Sequence, residues 1–154
     1  MERVTTSRRG IAVAAITIAI ALLMGLVASP ARAATDLEHE MFRLTNQDRA
    51  NHDVRRLRLN NSMSRKAHKH SAAMARNGGI FHTGDPAGFY LRGVRWTKWG
   101  ENVGLTEGGL DGLQDAFMGS PVHRSNILDR RFDKVAVGVV RRDGTAWVTL
   151  FFYG

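Results

Sequence analysis

The carboxyl-terminal stretch, "KVAVGVVRRDGTAWVTLFFYG" (residues 134–154), restricts the fold more than any other part of the chain. Two apolar runs flank Arg141-Arg142-Asp143-Gly144, and the Asp-Gly pair marks a tight hairpin turn. A strand with one wet face alternates apolar and polar residues, and these two do not, so both faces of the hairpin must be covered. The architecture that satisfies this is an α+β fold, an alpha-beta-alpha sandwich: a small antiparallel sheet with helices on both faces.

The segments ahead of the hairpin supply those helices. Residues 36–50 place Leu37, Met41 and Leu44 at helical spacing, with Asp36 as the expected cap. An irregular segment follows, with Leu57 and Leu59 as its anchors. A second amphipathic helix is expected from Asn61 or Ser62 to the Gly78-Gly79 stop, with Met63, Ala67, His70 and Met74 on one face. Residues 80–99, rich in glycine and aromatics, have no sustained period; they predict a long ordered loop with one helical turn near residues 89–92. "GENVGL" predicts a short strand, and a helix is expected to start near Leu110. "SPVHRSNIL" predicts a further helix, with Ser120 as cap and Pro121 at its first position.

The amino terminus has a separate organisation. Arg3, Arg8 and Arg9 precede an apolar run at residues 11–28, and Ala31-Arg32-Ala33 offers a small-residue cleavage site. That order describes an export signal at residues 1–33, cleaved after Ala33, followed by a single domain at residues 34–154. The run is long enough to leave an uncleaved amino-terminal membrane anchor open as the alternative. Removing the signal lowers the formal charge from +8 to +5, so much of the basicity belongs to targeting. The sequence contains no cysteine, which excludes disulfides, zinc-thiolate sites and thiol chemistry. It carries no nucleic-acid-binding motif.

Of the six histidines, His39, His52 and His68 fall on polar faces or loops and are expected to be solvated. His70, on an apolar helix face, is expected to be a hydrogen-bonded core residue. His82 opens the long loop, and His123 lies three residues past a helix cap. Glu101 is the lone carboxylate of an apolar, glycine-flanked strand, and a buried carboxylate requires a donor, a cation or a proton. Two imidazoles and one carboxylate suffice as ligands for a divalent metal with open positions, and the alternative is that all three bond neighbouring backbone.

Four motifs in register, "LTNQDRA", "AHKHSAAMARNGGIFHT", "GENVG" and "SPVHRSNILDRRFDKVAVGV", resemble those of the CAP superfamily. That superfamily comprises cysteine-rich secretory proteins, venom antigens, pathogenesis-related plant proteins and their bacterial relatives. The likeness covers residues 37–154 and is closest to the cysteine-free bacterial branch. It implies the same sandwich, and a cleft where two histidines and two acids converge and can take up zinc or another divalent ion. On the matching motifs the cleft residues are His82, Glu101 and His123. The second acid does not carry over: "FYLRGVRW" has no carboxylate, and Asp85 stands only three residues past His82. Ser120, Pro121 and Asn126 then become scaffold.

Three functions compete. The first is a secreted, non-enzymatic binding module for a small ligand, a lipid or a cell-surface component, its loop carrying Phe89, Tyr90, Trp96 and Trp99 either as a plug or as ligand contacts. The second is a metal-dependent hydrolase with Glu101 as general base. The third is an interaction protein that meets anionic envelope polymers or host molecules through its basic surface, the cleft being vestigial and Arg55, Arg56, Arg58, Arg130, Arg131, Arg141 and Arg142 taking the leading part.

Overall fold

The computed structural model describes the backbone of residues 30–154 and the side chains from residue 35 onward. Residues 1–29 of the expected signal, with its apolar run at residues 11–28, lie outside the described residues. Chain order is α1 (Pro30–Asn51), β1 (Arg58–Leu59), α2 (Asn61–Asn77), α3 (Pro86–Tyr90), β2 (Trp99–Thr106), α4 (Leu110–Gly119), α5 (Pro121–Ile127), β3 (Lys134–Arg142) and β4 (Thr145–Tyr153).

The strands form one sheet in the order β1-β3-β4-β2. The β3–β4 hairpin turns at Asp143 and Gly144, both at positive φ, which is the turn the Asp-Gly pair favours. β2 runs antiparallel to β4 with Glu101 opposite Phe151. Unlike the antiparallel remainder, β1 pairs with β3 in parallel. Its backbone is pinned at both ends: Leu57 exchanges two hydrogen bonds with the Asn46 side chain, and the Asn60 amide donates to the Val135 carbonyl. The segment read from sequence as irregular is thereby drawn out along β3.

Successive strand residues face opposite layers, and both layers are apolar. On one side Val135, Val137, Val139, Val148, Leu150 and Phe152 pack with Met41 of α1, Leu113 and Phe117 of α4 and Ile127 of α5. On the other, Ala136, Phe151 and Tyr153 meet Met63 and Ala67 of α2 together with Tyr90 and Leu91, and Val103 and Trp147 meet Met74 and Ala75. Each large apolar side chain buried this way contributes roughly 1.5–3 kcal/mol. α2 lies directly on β3 at Gly138, where a Cβ would overlap the backbone of Ala67. The two-sided covering required by the hairpin is therefore met, and the fold is the expected alpha-beta-alpha sandwich.

Several local expectations are corrected. α1 is already helical from Pro30, the first described residue, so Asp36 lies inside it and is not its cap, and the helix runs through the junction after Ala33. The cap of α2 is Asn60, whose side chain accepts from the Met63 amide, not Asn61 or Ser62. The turn in the long loop is α3, earlier than residues 89–92, because Asp85 caps it by accepting from the Gly88 amide and Pro86 sits in its first turn. Pro121 opens α5 as expected, and Ser120 holds the cap position in an extended conformation but makes no side-chain capping bond.

Candidate functional site

β2 is an edge strand, and the site is built across that edge. Strand alternation sends Glu101 and Val103 toward the α2 layer, while Asn102 and Gly104 face the α4 and α5 layer. An uncovered edge offers unpaired backbone groups to any passing strand. Here α5 covers part of it. Asn126 donates to the Glu101 carbonyl at 3.4 Å and to Asn102 Oδ1 at 2.9 Å, and Asn102 Nδ2 donates to the His123 carbonyl at 3.0 Å. Gly100 makes room for this clamp, since a Cβ there would lie 2.5 Å from Asn126 Oδ1. Asn126, expected to be scaffold, fastens α5 to β2 and so fixes the position of His123.

On the α2 side, the carboxylate of Glu101 is 2 % exposed and fully engaged. Its Oε1 accepts from the Thr83 amide at 2.9 Å and lies 3.0 Å from His82 Nδ1; its Oε2 accepts from the Thr83 hydroxyl at 2.7 Å. These bonds answer the requirement that a buried carboxylate find donors. They also set the tautomer of His82, because a carboxylate only accepts: Nδ1 carries the hydrogen, and Nε2 of the neutral ring is left bare. The His82 ring is 62 % exposed, so a buried anion holds an imidazole that solvent can reach.

His123 lies near enough for His82 to matter to it. Its pKa is lowered first by burial and second by the charge of His82. Its ring also packs against Phe117, with centroids 4.9 Å apart. The structure therefore bonds His82 to Glu101 and leaves the half-buried His123 within electrostatic range of His82.

His70 is buried, as its face of α2 predicts. A chain of hydroxyls fixes its protonation. Ser71 donates to the Gly138 carbonyl, so Thr149 must donate to Ser71, and His70 Nδ1 must donate to Thr149 at 3.1 Å. Its Nε2 is buried with no partner, and Phe81 covers the ring edge-on at 5.2 Å. Burial lowers its pKa, His82 adds to that lowering, and the Glu101 charge opposes it. The Tyr90 hydroxyl is likewise buried, and burial, followed by the Glu101 charge, raises its pKa.

The other histidines separate. His39 and His52 are exposed. His68, expected to be solvated, instead pairs with Glu38 at 2.8 Å, and this bond raises its pKa. Asp85 is occupied in capping α3, so it does not replace the missing second acid.

Thr83, Asn102 and Arg49 were missed by the sequence reading. Arg49 is fully buried, and its guanidinium donates to the carbonyls of Arg55, Ile127, Asp129 and Phe132. It holds the end of α5 and the turn behind it. A signal was present: Arg49 follows Met41 and Thr45 at intervals of four, on the buried stripe of α1. A groove of about 500 Å³ lined by Phe42, Arg43, Asn46, Gln47, Arg56 and Leu57 contains none of the site residues.

The donor set does not fit a protein-built metal centre. Among the described residues no group of three or more His, Asp or Glu side chains is placed to hold a metal ion. Both Glu101 oxygens are committed to Thr83 and His82, which leaves two imidazoles as free donors. The set offers no assembled nucleophile either. Thr83 donates to Glu101, and Ser125 donates to the Val122 carbonyl at 2.7 Å.

Residues 42–152 match the model of the cysteine-rich secretory protein family. Among solved structures, the chain is similar to an extracellular protein containing an SCP domain from Bacillus anthracis, with 25 % identity and a TM-score of 0.68 over 82 % of this chain and 44 % of that one. A cysteine-rich secretory protein from Staphylococcus aureus shares the fold at 21 % identity and a TM-score of 0.68, over 82 % and 41 % of the two chains. So does an outer surface protein from Borrelia burgdorferi, at 15 % identity and a TM-score of 0.68, over 77 % and 92 %. The chain spans less than half the length of the first two. Among curated proteins no sequence matches.

Proposed function

The chain belongs to the cysteine-rich secretory protein family, also called CAP, and from that premise we propose that it is an exported, non-enzymatic binding module. In this reading the paired imidazoles of His82 and His123 hold a polar group of an extracellular ligand. The observation that carries it is the state of Glu101. A carboxylate that is 2 % exposed and accepts from Thr83 twice and from His82 is placed to orient an imidazole, not to take a proton from water at the surface. That argues against the hydrolase alternative, which needs a free general base.

Export rests on the basic, apolar and small-residue order of residues 1–33. Two of the similar structures are named as an extracellular and an outer surface protein. Among the described residues no helix is long and apolar enough to cross a membrane. A divalent ion at this face would have two protein donors, His82 and His123, and would take the rest from ligand or water.

The test pairs an activity assay with a binding assay. Hydrolysis of p-nitrophenyl acetate and of a casein substrate is measured for the wild type, Glu101→Gln and His82→Ala, with and without added zinc chloride. All three should match the protein-free rate. Turnover that is present in the wild type and lost in both variants would establish a hydrolase and overturn this reading. Calorimetric titration of zinc chloride should show weak binding that requires both His82 and His123. Tight one-to-one binding that also disappears in Glu101→Gln with the fold intact would return Glu101 to the ligand set.

A further inference from the structure

The segment between α3 and β2 is held at both ends and projects between them. Its entry is fixed by Tyr90 and Leu91, 1 % and 2 % exposed, with Tyr90 stacked on Phe151. Its exit is fixed by Thr97, whose amide and hydroxyl both donate to the Gly154 carbonyl, and by the amide of Gly154 donating to Lys98. Between these anchors every residue of "RGVRW", residues 92–96, is exposed. The Val94 amide bonds the Leu91 carbonyl and Gly93 takes a positive φ, so the tip is a formed turn.

The chemistry of this tip is unusual for a solvated loop. Val94 and Trp96 are 37 % and 42 % exposed, and Phe89 at its foot is 40 % exposed. Arg92 and Arg95 alternate with them, and among the described residues neither side chain has a hydrogen-bond or ion-pair partner. Residues 86–100 contain no acidic residue. The nearest acid before them, Asp85, is turned to the Gly88 amide, and Asp129 nearby is held by Lys98 and Arg131. The tip therefore has cations with no partner among the described residues, beside apolar side chains that keep more than a third of their surface exposed, on a base that keeps them presented.

We propose that residues 92–96 dock the domain onto an anionic lipid surface, with Arg92 and Arg95 at the phosphate level and Trp96 and Val94 in the interfacial layer. Trp at the headgroup level, flanked by arginine and beside smaller apolar residues, is the composition that partitions into that layer. A purely polyanionic polymer would satisfy the arginines but give the exposed Trp96 and Val94 nothing to enter. None of these residues belongs to the His82 site, so the proposal stands apart from the function proposed above.

The test uses the full chain and vesicles of phosphatidylglycerol mixed with brominated phosphatidylcholine, which quenches tryptophan at the interface. The contribution of Trp96 is the difference between wild type and Trp96→Phe. The segment at residues 11–28 is common to every variant, so differences between variants read the tip alone. In anionic vesicles Trp96 emission should shift to the blue and be quenched, and in phosphatidylcholine vesicles it should not. Arg92→Gln with Arg95→Gln should raise the lipid concentration for half-maximal quenching by about twenty-five-fold, at about fivefold per arginine. These positions are exposed, so an unchanged melting curve serves as the folding control. Quenching equal in the two vesicle types, or unmoved by the double arginine variant, would overturn the proposal. Salt-sensitive association with the vesicles but without quenching of Trp96 would also overturn it, and would assign the tip to anionic polymers instead.

Discussion

Replacing Arg49 by methionine should be among the most destabilising single changes in the domain. The guanidinium donates at 2.7 Å to the Ile127 carbonyl, 2.8 Å to Arg55, 3.0 Å to Asp129 and 3.1 Å to Phe132. The Ile127 and Phe132 bonds lie in the buried layer, and an orphaned buried acceptor costs about 1–3 kcal/mol. Two such groups give about 2–6 kcal/mol. Removing a desolvated cation offsets part of that; burial, reinforced by the charge of Arg55, already pulls the Arg49 pKa down to about 10. The expected net loss is about 3 kcal/mol, which for a domain of this size lowers Tm by roughly 10 °C. Arg49→Lys, which can reach only part of the fan of carbonyls, should lose less but still be clearly destabilised. Urea denaturation of the three proteins is the assay. A loss below about 1 kcal/mol in Arg49→Met would refute the reasoning and mean that water satisfies those carbonyls.

Gly138→Ala should cost several kcal/mol by urea melt, because its Cβ would overlap the Ala67 backbone and force α2 off the sheet. Asn126→Ala removes the clamp on Asn102 and the Glu101 carbonyl, and should cost about 1–2 kcal/mol and shift the NMR resonances of His123. The two kinds of histidine should give opposite pH signs. His68 has a raised pKa, first through its bond to Glu38, so the stability it adds is full below the unfolded value of about 6.5 and is lost as pH rises through its folded pKa. The stability difference between wild type and His68→Gln should therefore shrink from pH 6 toward pH 8. His70 has a lowered pKa through burial, so its contribution is present above about pH 6.5 and falls away as acid protonates the unfolded chain.

The sheet and its two coverings were legible because a hairpin apolar on both faces admits few architectures. The site was legible in part for a similar reason: Glu101 is conspicuous as a carboxylate in an apolar strand, and its need for donors follows from that alone. Thr83 and Asn102 were not legible, because one gives a backbone amide and a hydroxyl from a loop, and the other acts across the edge of β2 onto a carbonyl of α5. Nothing local distinguishes such residues from ordinary polar ones. The start of α1 and the cap of α2 were misplaced because neighbouring residues offer equivalent helix signals, and contacts elsewhere choose among them. Asn60 wins at α2 because its side-chain amide also donates to the Tyr153 hydroxyl at 2.7 Å, tying the cap to β4.

The central claim is that the buried Glu101 carboxylate orients the exposed His82 ring, and the tautomer of that ring tests it most directly. Long-range proton–nitrogen NMR at a pH where the ring is neutral should show His82 with its hydrogen on Nδ1 and a bare Nε2, and Glu101→Gln should move the population toward the Nε2–H form. A wild-type His82 found mainly as the Nε2–H tautomer, or a population indifferent to Glu101→Gln, would contradict the account.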